Sequence, residues 1–253
     1  MTATPQTAAA GGRTSTAAGD EIARFDRIAQ EWWDLDGDFR ALHRLNPLRV
    51  GYIRDVLSSH FGRDPEAERP LDGLAVIDIG CGGGLVAEAV ARMGAEVLGI
   101  DASPESVGVA ECHARGGDLG IRYRLAAPED LLDEGARFDV VLALEVIEHV
   151  ADLDRFLQAA AGLLRPDGAM VLSTINRTLK SLALAKVGAE YVLRWVPAGT
   201  HDWRKFVKPS ELAASLRRAG LTVGDLRGLT YDPLRDTWAL SPDLDVNYMA
   251  FAR

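Results

Sequence analysis

Cysteine is scarce in this chain of 253 residues, with Cys81 and Cys112 as its two examples. Two thiols make neither a disulfide framework nor a four-ligand zinc site, and such sparse use suits a reducing compartment. Both are expected to be free. Aromatic residues are few, at 7%, although 47% of the chain is apolar. No apolar run reaches the roughly 18 residues of a membrane-spanning helix. Basic residues are in deficit, 28 Lys and Arg against 37 Asp and Glu, for a net charge of -9. That balance argues against a general nucleic-acid surface built on phosphate contacts. Residues 1–19 lack both the apolar core of a signal peptide and the repeated Arg of a transit peptide, and are expected to form a disordered tail.

What the chain does contain is organised in blocks. From Asp20, apolar residues Ile22, Phe25, Ile28, Ala29, Trp32 and Trp33 recur at helical spacing, so an amphipathic helix is expected. Asn46-Pro47 reads as the start of a second helix, with Asn capping and Pro at the first helical position. These two make a helical cap over residues 20–61. The stretch from Gly62 to Asp72 reads as a linker. The main domain, 73–253, alternates short apolar runs (Leu74 to Ile79, Glu96 to Ile100, Ile121 to Leu125, Phe138 to Leu144, Ala169 to Thr174) with helical segments such as Leu85 to Met93 and Leu153 to Leu164. A helix from Pro209 to Ala219 and two more strands, Leu221 to Leu226 and Val246 to Phe251, follow. The alternation predicts an α/β fold, a mostly parallel sheet with helices on both faces.

The first strand runs from Val76 through Asp78 into Gly80-Cys81-Gly82-Gly83-Gly84 and then a helix. Glycines there let a ligand approach the backbone, and the first strand-to-helix turn of a doubly wound sheet is a usual ligand site. Asp101 closes the next strand, where an acid that bonds the ribose hydroxyls of an adenosine cofactor belongs. Two cofactors compete on these residues alone. Gly82 to Ala87 satisfies the nicotinamide fingerprint in its Ala form, whereas Asp78 supplies a carboxylate suited to the charged amino-acid end of S-adenosylmethionine.

Asp78, Gly80, Gly82 and Gly84 resemble the glycine loop of the class I S-adenosylmethionine-dependent methyltransferases. Further segments narrow the likeness: Trp32-Trp33-Asp34, His43 to Arg49, Glu145 to Val150, Gly188 to Tyr191, Gly199 to Asp202 and Asp245 to Met249. From about residue 21 to the end, the chain resembles the branch of that family that O-methylates phenols in ubiquinone biosynthesis. The resemblance implies a Rossmann-like seven-stranded sheet with its last strand antiparallel. It also implies a cofactor site that includes Arg44, Gly80, Asp101 and Leu144, with Arg44 on the methionine carboxylate, a task suited to guanidinium. The acceptor it implies is a polyprenylated phenol or quinol, including demethylubiquinol. Other ubiquinone-biosynthesis proteins are further expected partners.

Glu145, Glu148 and His149 follow the fourth strand at spacings that a helical turn would gather on one side. Methyl transfer to a phenol needs the oxygen deprotonated, and a free phenol has a pKa of about 10. Either a base or a cation must help. A magnesium ion on the two carboxylates suits hard oxygen ligands, while the imidazole leaves room for zinc. The resemblance implies a divalent ion at these positions. The metal-free alternative makes His149 the general base, oriented by Glu148 or Glu145. His201 and Asp202 are further candidates for substrate contact.

From Arg177 to Lys208, seven basic residues stand against two acids, a local charge of +5 in an acidic chain. With Leu179, Leu182, Tyr191, Trp195 and their apolar neighbours, this amphipathic insert, about 176–208, reads either as a lid or as a helix lying in an anionic membrane surface. A polyprenyl acceptor favours the second reading, and with it a cytoplasmic enzyme held peripherally at the inner membrane face. Two alternatives remain on sequence: an O-methyltransferase for a soluble catechol, and a cofactor-binding assembly component without turnover.

Overall fold

The computed structural model describes residues 29–37, 39–117, 119–183, 202–232, 235 and 237–253, together with Thr16, Ile22, Ala23 and Asp26. Strands β1 (Ala75–Ile79), β2 (Glu96–Asp101), β3 (Arg122–Leu125), β4 (Phe138–Leu144), β5 (Leu164–Ile175), β6 (Val223–Asp232), β7 (Thr237–Ser241) and β8 (Asn247–Ala252) form one sheet. Their order is β3-β2-β1-β4-β5-β8-β6-β7. The first five of these run parallel, and β8 lies antiparallel to both β5 and β6. From β1 the chain winds outward to β2 and β3, then returns to add β4 and β5 on the other side. The carboxyl ends of β1 and β4 therefore flank the point where strand order reverses, the place where such sheets open a crevice for ligands.

Among the described residues the sheet has eight strands, one more than the expected seven. The extra one, β7, pairs antiparallel with β6 at the sheet edge and is largely exposed. An edge strand with little buried surface leaves no alternating apolar signature in the sequence.

Among the described residues, six helices longer than a single turn accompany the sheet: α1 (Arg40–His60), α2 (Leu85–Arg92), α3 (Pro104–Gly116), α4 (Pro128–Asp133), α5 (Leu153–Gly162) and α6 (Pro209–Arg218). Tyr52, Ile53 and Leu57 of α1 and Val86, Ala87 and Val90 of α2 pack on one sheet face with Val76, Val97, Leu142 and Val171. On the other, Phe156, Leu157 and Ala160 of α5 and Leu212 and Leu216 of α6 meet Ile77, Ile100, Val141 and Leu172. Strands buried on both faces read as unbroken apolar runs, which is why the central ones were recognisable.

The cap departs from expectation at its second helix. α1 begins at Arg40 and carries Pro47 inside it, so Asn46 is not its cap. Asn46 instead ties the helix to neighbours: its amide donates to the Leu85 carbonyl at 3.4 Å and its Oδ1 accepts from Arg49 Nη2 at 3.2 Å. Of the first expected helix, Ile22, Ala23 and Asp26 are helical and Ala29–Glu31 is a single 3₁₀ turn. Phe25 and Ile28 lie outside the described residues. Thr16, within the expected tail, is buried, and its carbonyl accepts the Ala151 N–H at 2.9 Å.

Candidate active site

The loop after β1 is shaped by glycines that other residues could not replace. Gly80, Gly82 and Gly84 all have positive φ, at 71°, 53° and 88°, where a side chain would strain the backbone. The N–H groups of Gly80 and Cys81 both donate to the Ile100 carbonyl, locking the loop to the end of β2. Asp101, one residue on, accepts the Gly82 N–H at 2.9 Å and the Ser103 N–H at 2.8 Å. Enclosure raises its pKa, and those backbone donors pull the other way. The expected loop and acid are thus brought together at one strand end. Cys81 is buried and Cys112 exposed, and both are free.

Arg44 does not occupy the place expected of it. It is exposed, whereas Arg49, on the buried stripe of α1 with Leu45, Tyr52 and Ile53, is 3% exposed. Glu145 and Asp78 favour the charged guanidinium there, against the cost of burial. Asp78 is also buried, and burial pushes its carboxyl up to about 7 against the pull of Arg49. Arg49 Nε and Asp78 Oδ2 are each buried without a hydrogen-bond partner. A free donor on a cation and a free acceptor on a carboxyl match a zwitterion, such as the carboxylate and ammonium of a free amino-acid group. Arg49 was missed because its neighbour in the same motif is also Arg; its four-residue step from Leu45 on an apolar stripe was the available signal.

At the end of β4, Leu144 is buried and Glu145 turns the chain with φ 53°. The following residues form a turn, not a helix, so the helical spacing expected of Glu145, Glu148 and His149 does not apply. What gathers the two carboxylates is β5. Ser173 Oγ donates to Glu145 at 2.9 Å, and Thr174 Oγ1 donates to Glu148 at 2.8 Å. Glu148 is buried, and burial together with the adjacent Glu145 carboxylate holds its pKa well above the ordinary range. Like charges this close share a proton more readily than they ionise together. Among the described residues no three His, Cys, Asp or Glu side chains are arranged to hold a metal ion, so His149 is not assembled with the carboxylates as a third ligand.

Trp32 and Trp33 close over the loop. A Cβ on Gly82 would lie 2.2 Å from the Trp32 ring, and one on Gly83 2.5 Å from Trp32 Cβ. Trp33 Nε1 donates to the Gly83 carbonyl at 3.0 Å and its ring stacks on His113 at a centroid distance of 3.4 Å. His113 in turn meets the fully buried Glu88, which also binds Arg92 at 2.7 Å. The Trp-Trp pair is thereby fixed to α2 and α3 as well as to the loop.

Of the expected insert, residues 184–201, including His201, lie outside the described residues. Phe206 and Val207, expected in the insert, belong to the core: Val207 N–H donates to Ile175, and Tyr248 OH donates to the Val207 carbonyl at 3.0 Å. Asp202 caps the short turn Trp203–Lys205. Two of the insert's cations are engaged within the domain, Lys180 with Asp243 at 2.5 Å and Arg177 with Glu211. No helix among the described residues is long and apolar enough to cross a membrane.

Fold and loop together define a methyltransferase domain, and a family model described as a methyltransferase domain matches residues 51–226. Among solved structures, magnesium protoporphyrin IX methyltransferase of Synechocystis PCC 6803 with bound SAH is similar, with a TM-score of 0.61, 23% identity and coverage of 91% of this chain and 93% of that one. A likeness at that identity concerns the fold. Sequence relatives are much nearer. The ubiquinone biosynthesis O-methyltransferase of Mesorhizobium japonicum is 53% identical over 95% of this chain and 96% of its own length. That of Brucella anthropi is 52% identical over 94% and 96%. The chain belongs to the ubiquinone biosynthesis O-methyltransferases, and the choice left open at Gly82 to Ala87 falls to methyl transfer.

Proposed function

We propose that this enzyme transfers the methyl group of S-adenosylmethionine to a phenolic hydroxyl of a polyprenylated ubiquinone precursor, with Arg49 rather than Arg44 at the cofactor's carboxylate. The observation that carries the reading is the sharing of Arg49 between Asp78, at the end of β1, and Glu145, at the end of β4. It links the cofactor loop to Glu145, the first of the two carboxylates, through one buried cation. Asp78 faces the amino-acid end, Gly80, Gly82 and Gly84 let it approach the backbone, Asp101 bonds the ribose, and Leu144 lines the cofactor. A ribose diol at Asp101 exchanges with or joins the Gly82 and Ser103 N–H groups that now hold the carboxylate.

The acceptor oxygen attacks the methyl carbon in line, the methyl leaves sulfur, and the phenolic proton must go to a group in the protein. Glu145 and Glu148 take part in that proton transfer in this reading, with His149 as the further general base of the turn. The carboxylate pair also fits a divalent cation, since a metal would replace the proton that crowding forces on Glu148. When bound, such an ion would lower the phenol's pKa. Glu145 and Glu148 are the residues that would hold it, magnesium being the better match to their oxygens and zinc the one that would also recruit His149.

Membrane association follows from the acceptor. Leu179, at the start of the basic insert, is 78% exposed, and supports a peripheral, salt-sensitive contact with anionic lipid. The deciding experiment measures methyl transfer to a short-chain prenylated demethylubiquinol, with and without chelator, then with magnesium or zinc restored. Transfer that survives chelation removes the metal and leaves the carboxylates and His149 as the bases. No transfer, with the cofactor bound, overturns the acceptor assignment. Retention in the supernatant beside anionic vesicles at low salt overturns the membrane contact.

A further inference from the structure

The end of β5 carries polar side chains in an otherwise apolar strand, and the site above uses two of them, Ser173 and Thr174. A third follows. Asn176 is 7% exposed, and its amide N–H donates to the Leu244 carbonyl at 2.8 Å. A carbonyl can only accept, so the amide nitrogen must face Leu244 and the oxygen is fixed on the other side. That Oδ1 is buried and has no hydrogen-bond partner. Asn247, the first residue of β8, lies opposite Ile175, and its Oδ1 is likewise buried without a partner.

Strand geometry sets both amides beside the carboxylates. Side chains alternate along a strand, so Asn176 shares a face with Thr174, which holds Glu148. Directly opposed residues share a face, so Asn247 goes with Ile175 and hence with Ser173, which holds Glu145. Each face of β5 therefore carries one free acceptor oxygen and one hydroxyl-bound carboxylate. The backbone around them is tied in place: Asn176 N–H donates to Val246 at 2.8 Å, Ser181 Oγ donates to the Asn176 carbonyl, and Thr178 Oγ1 donates to the Asp245 carbonyl at 2.5 Å. Buried acceptors without donors are rare in folded chains, and two at the mouth of one site point to a ligand that brings the donors.

We infer that Asn176 and Asn247 bind the acceptor ring by taking hydrogen bonds from its hydroxyl groups, an assignment that rests on the reading of this site as one for a phenolic acceptor. The Asn176 oxygen, fixed by its own amide bond to Leu244, can only accept, so it holds a ring that presents an O–H group there and disfavours one that presents a carbonyl. The hydroxyls that are not methylated anchor the ring and set which oxygen meets the methyl group.

The test compares a short-chain prenylated demethylubiquinol, whose ring carries two hydroxyls beside the one that is methylated, with the monophenol that lacks both, using the full-length enzyme and the variants Asn176→Ala and Asn247→Ala. Each variant is expected to lower kcat/KM for the demethylubiquinol about 10–100-fold, the loss of a bond to a buried acceptor. The monophenol should change less than about twofold, and cofactor affinity should hold. Equal losses on both acceptors, or none on the demethylubiquinol, overturn the assignment. If Asn176→Ala no longer binds cofactor, Asn247→Ala decides by the same ratio. A wild-type enzyme that binds cofactor but methylates neither acceptor overturns the function itself, and the assignment with it.

Discussion

Gly82 donates its backbone N–H to Asp101 at 2.9 Å, so the acid at the end of β2 braces the glycine loop at the end of β1. One carboxylate serves both the loop's shape and the proposed ribose contact. Asp101→Ala is expected to weaken S-adenosylmethionine binding about 10–100-fold, as loss of charge-assisted bonds does. Asp101→Asn, which keeps one acceptor, should fall between. Calorimetric titration reads both, and an unchanged affinity in Asp101→Ala would remove the residue from the site.

Arg49 and Arg44 should behave oppositely on substitution. Arg49→Met removes the buried cation that favours the ionised forms of Asp78 and Glu145, and is expected to destabilise the fold. The cost should be smaller at pH 6 than at pH 8, because Asp78 titrates near 7 and escapes by protonation. Arg44→Ala, on an exposed position, should stay within about 0.5 kcal/mol. Urea unfolding at the two pH values distinguishes them.

Asp78 also predicts how stability depends on pH. Its folded pKa, about 7, lies above the ordinary 3.8. Between those values the folded chain keeps a proton that the unfolded chain releases, so this group's contribution to stability falls as pH rises and levels off above 7. The slope reaches about 1.4 kcal/mol per pH unit in that window. Asp78→Asn cannot titrate and should flatten the profile by that amount, while Glu148 keeps a slope of the same sign. A cationic ligand beside Asp78 favours its ionised form, so cofactor binding near pH 6.5 should release protons to buffer.

Gly80 carries a prediction of its own. A Cβ there would sit 2.7 Å from Val146 Cγ2, at φ 71°. Gly80→Ala is expected to cost about 1–2 kcal/mol from backbone strain, plus the clash. Val146→Ala in the same chain should restore the clash component and leave the strain. A double-mutant cycle on unfolding free energy measures the difference, and full additivity would show that the two residues do not press on each other.

Much of the sheet was legible beforehand. Strand β4 was placed to the residue and the other strands expected to within a few, apart from the early start of β5 and the late end of β6, because burial on both faces demands long apolar runs. Asp78, the glycines and Asp101 were legible for a related reason: a tight turn at positive φ admits few residue types. The start of α1 was not, since Asn46-Pro47 imitates a helix start and only contacts with Leu85 and Arg49 assign Asn46 another task.

The sequence by itself determined the alternating α/β order, the glycine loop and the acids at the strand ends, all of which depend on local backbone geometry and on burial. Tertiary structure alone decided that Arg49 rather than Arg44 is buried, within electrostatic reach of Asp78 and Glu145, that hydroxyls of β5 and not a helical turn hold Glu145 and Glu148, and that Asn176 and Asn247 keep free oxygens at the end of that strand pair. Each of those depends on which strand end meets which across the sheet, a relation between residues tens of positions apart that no local spacing encodes.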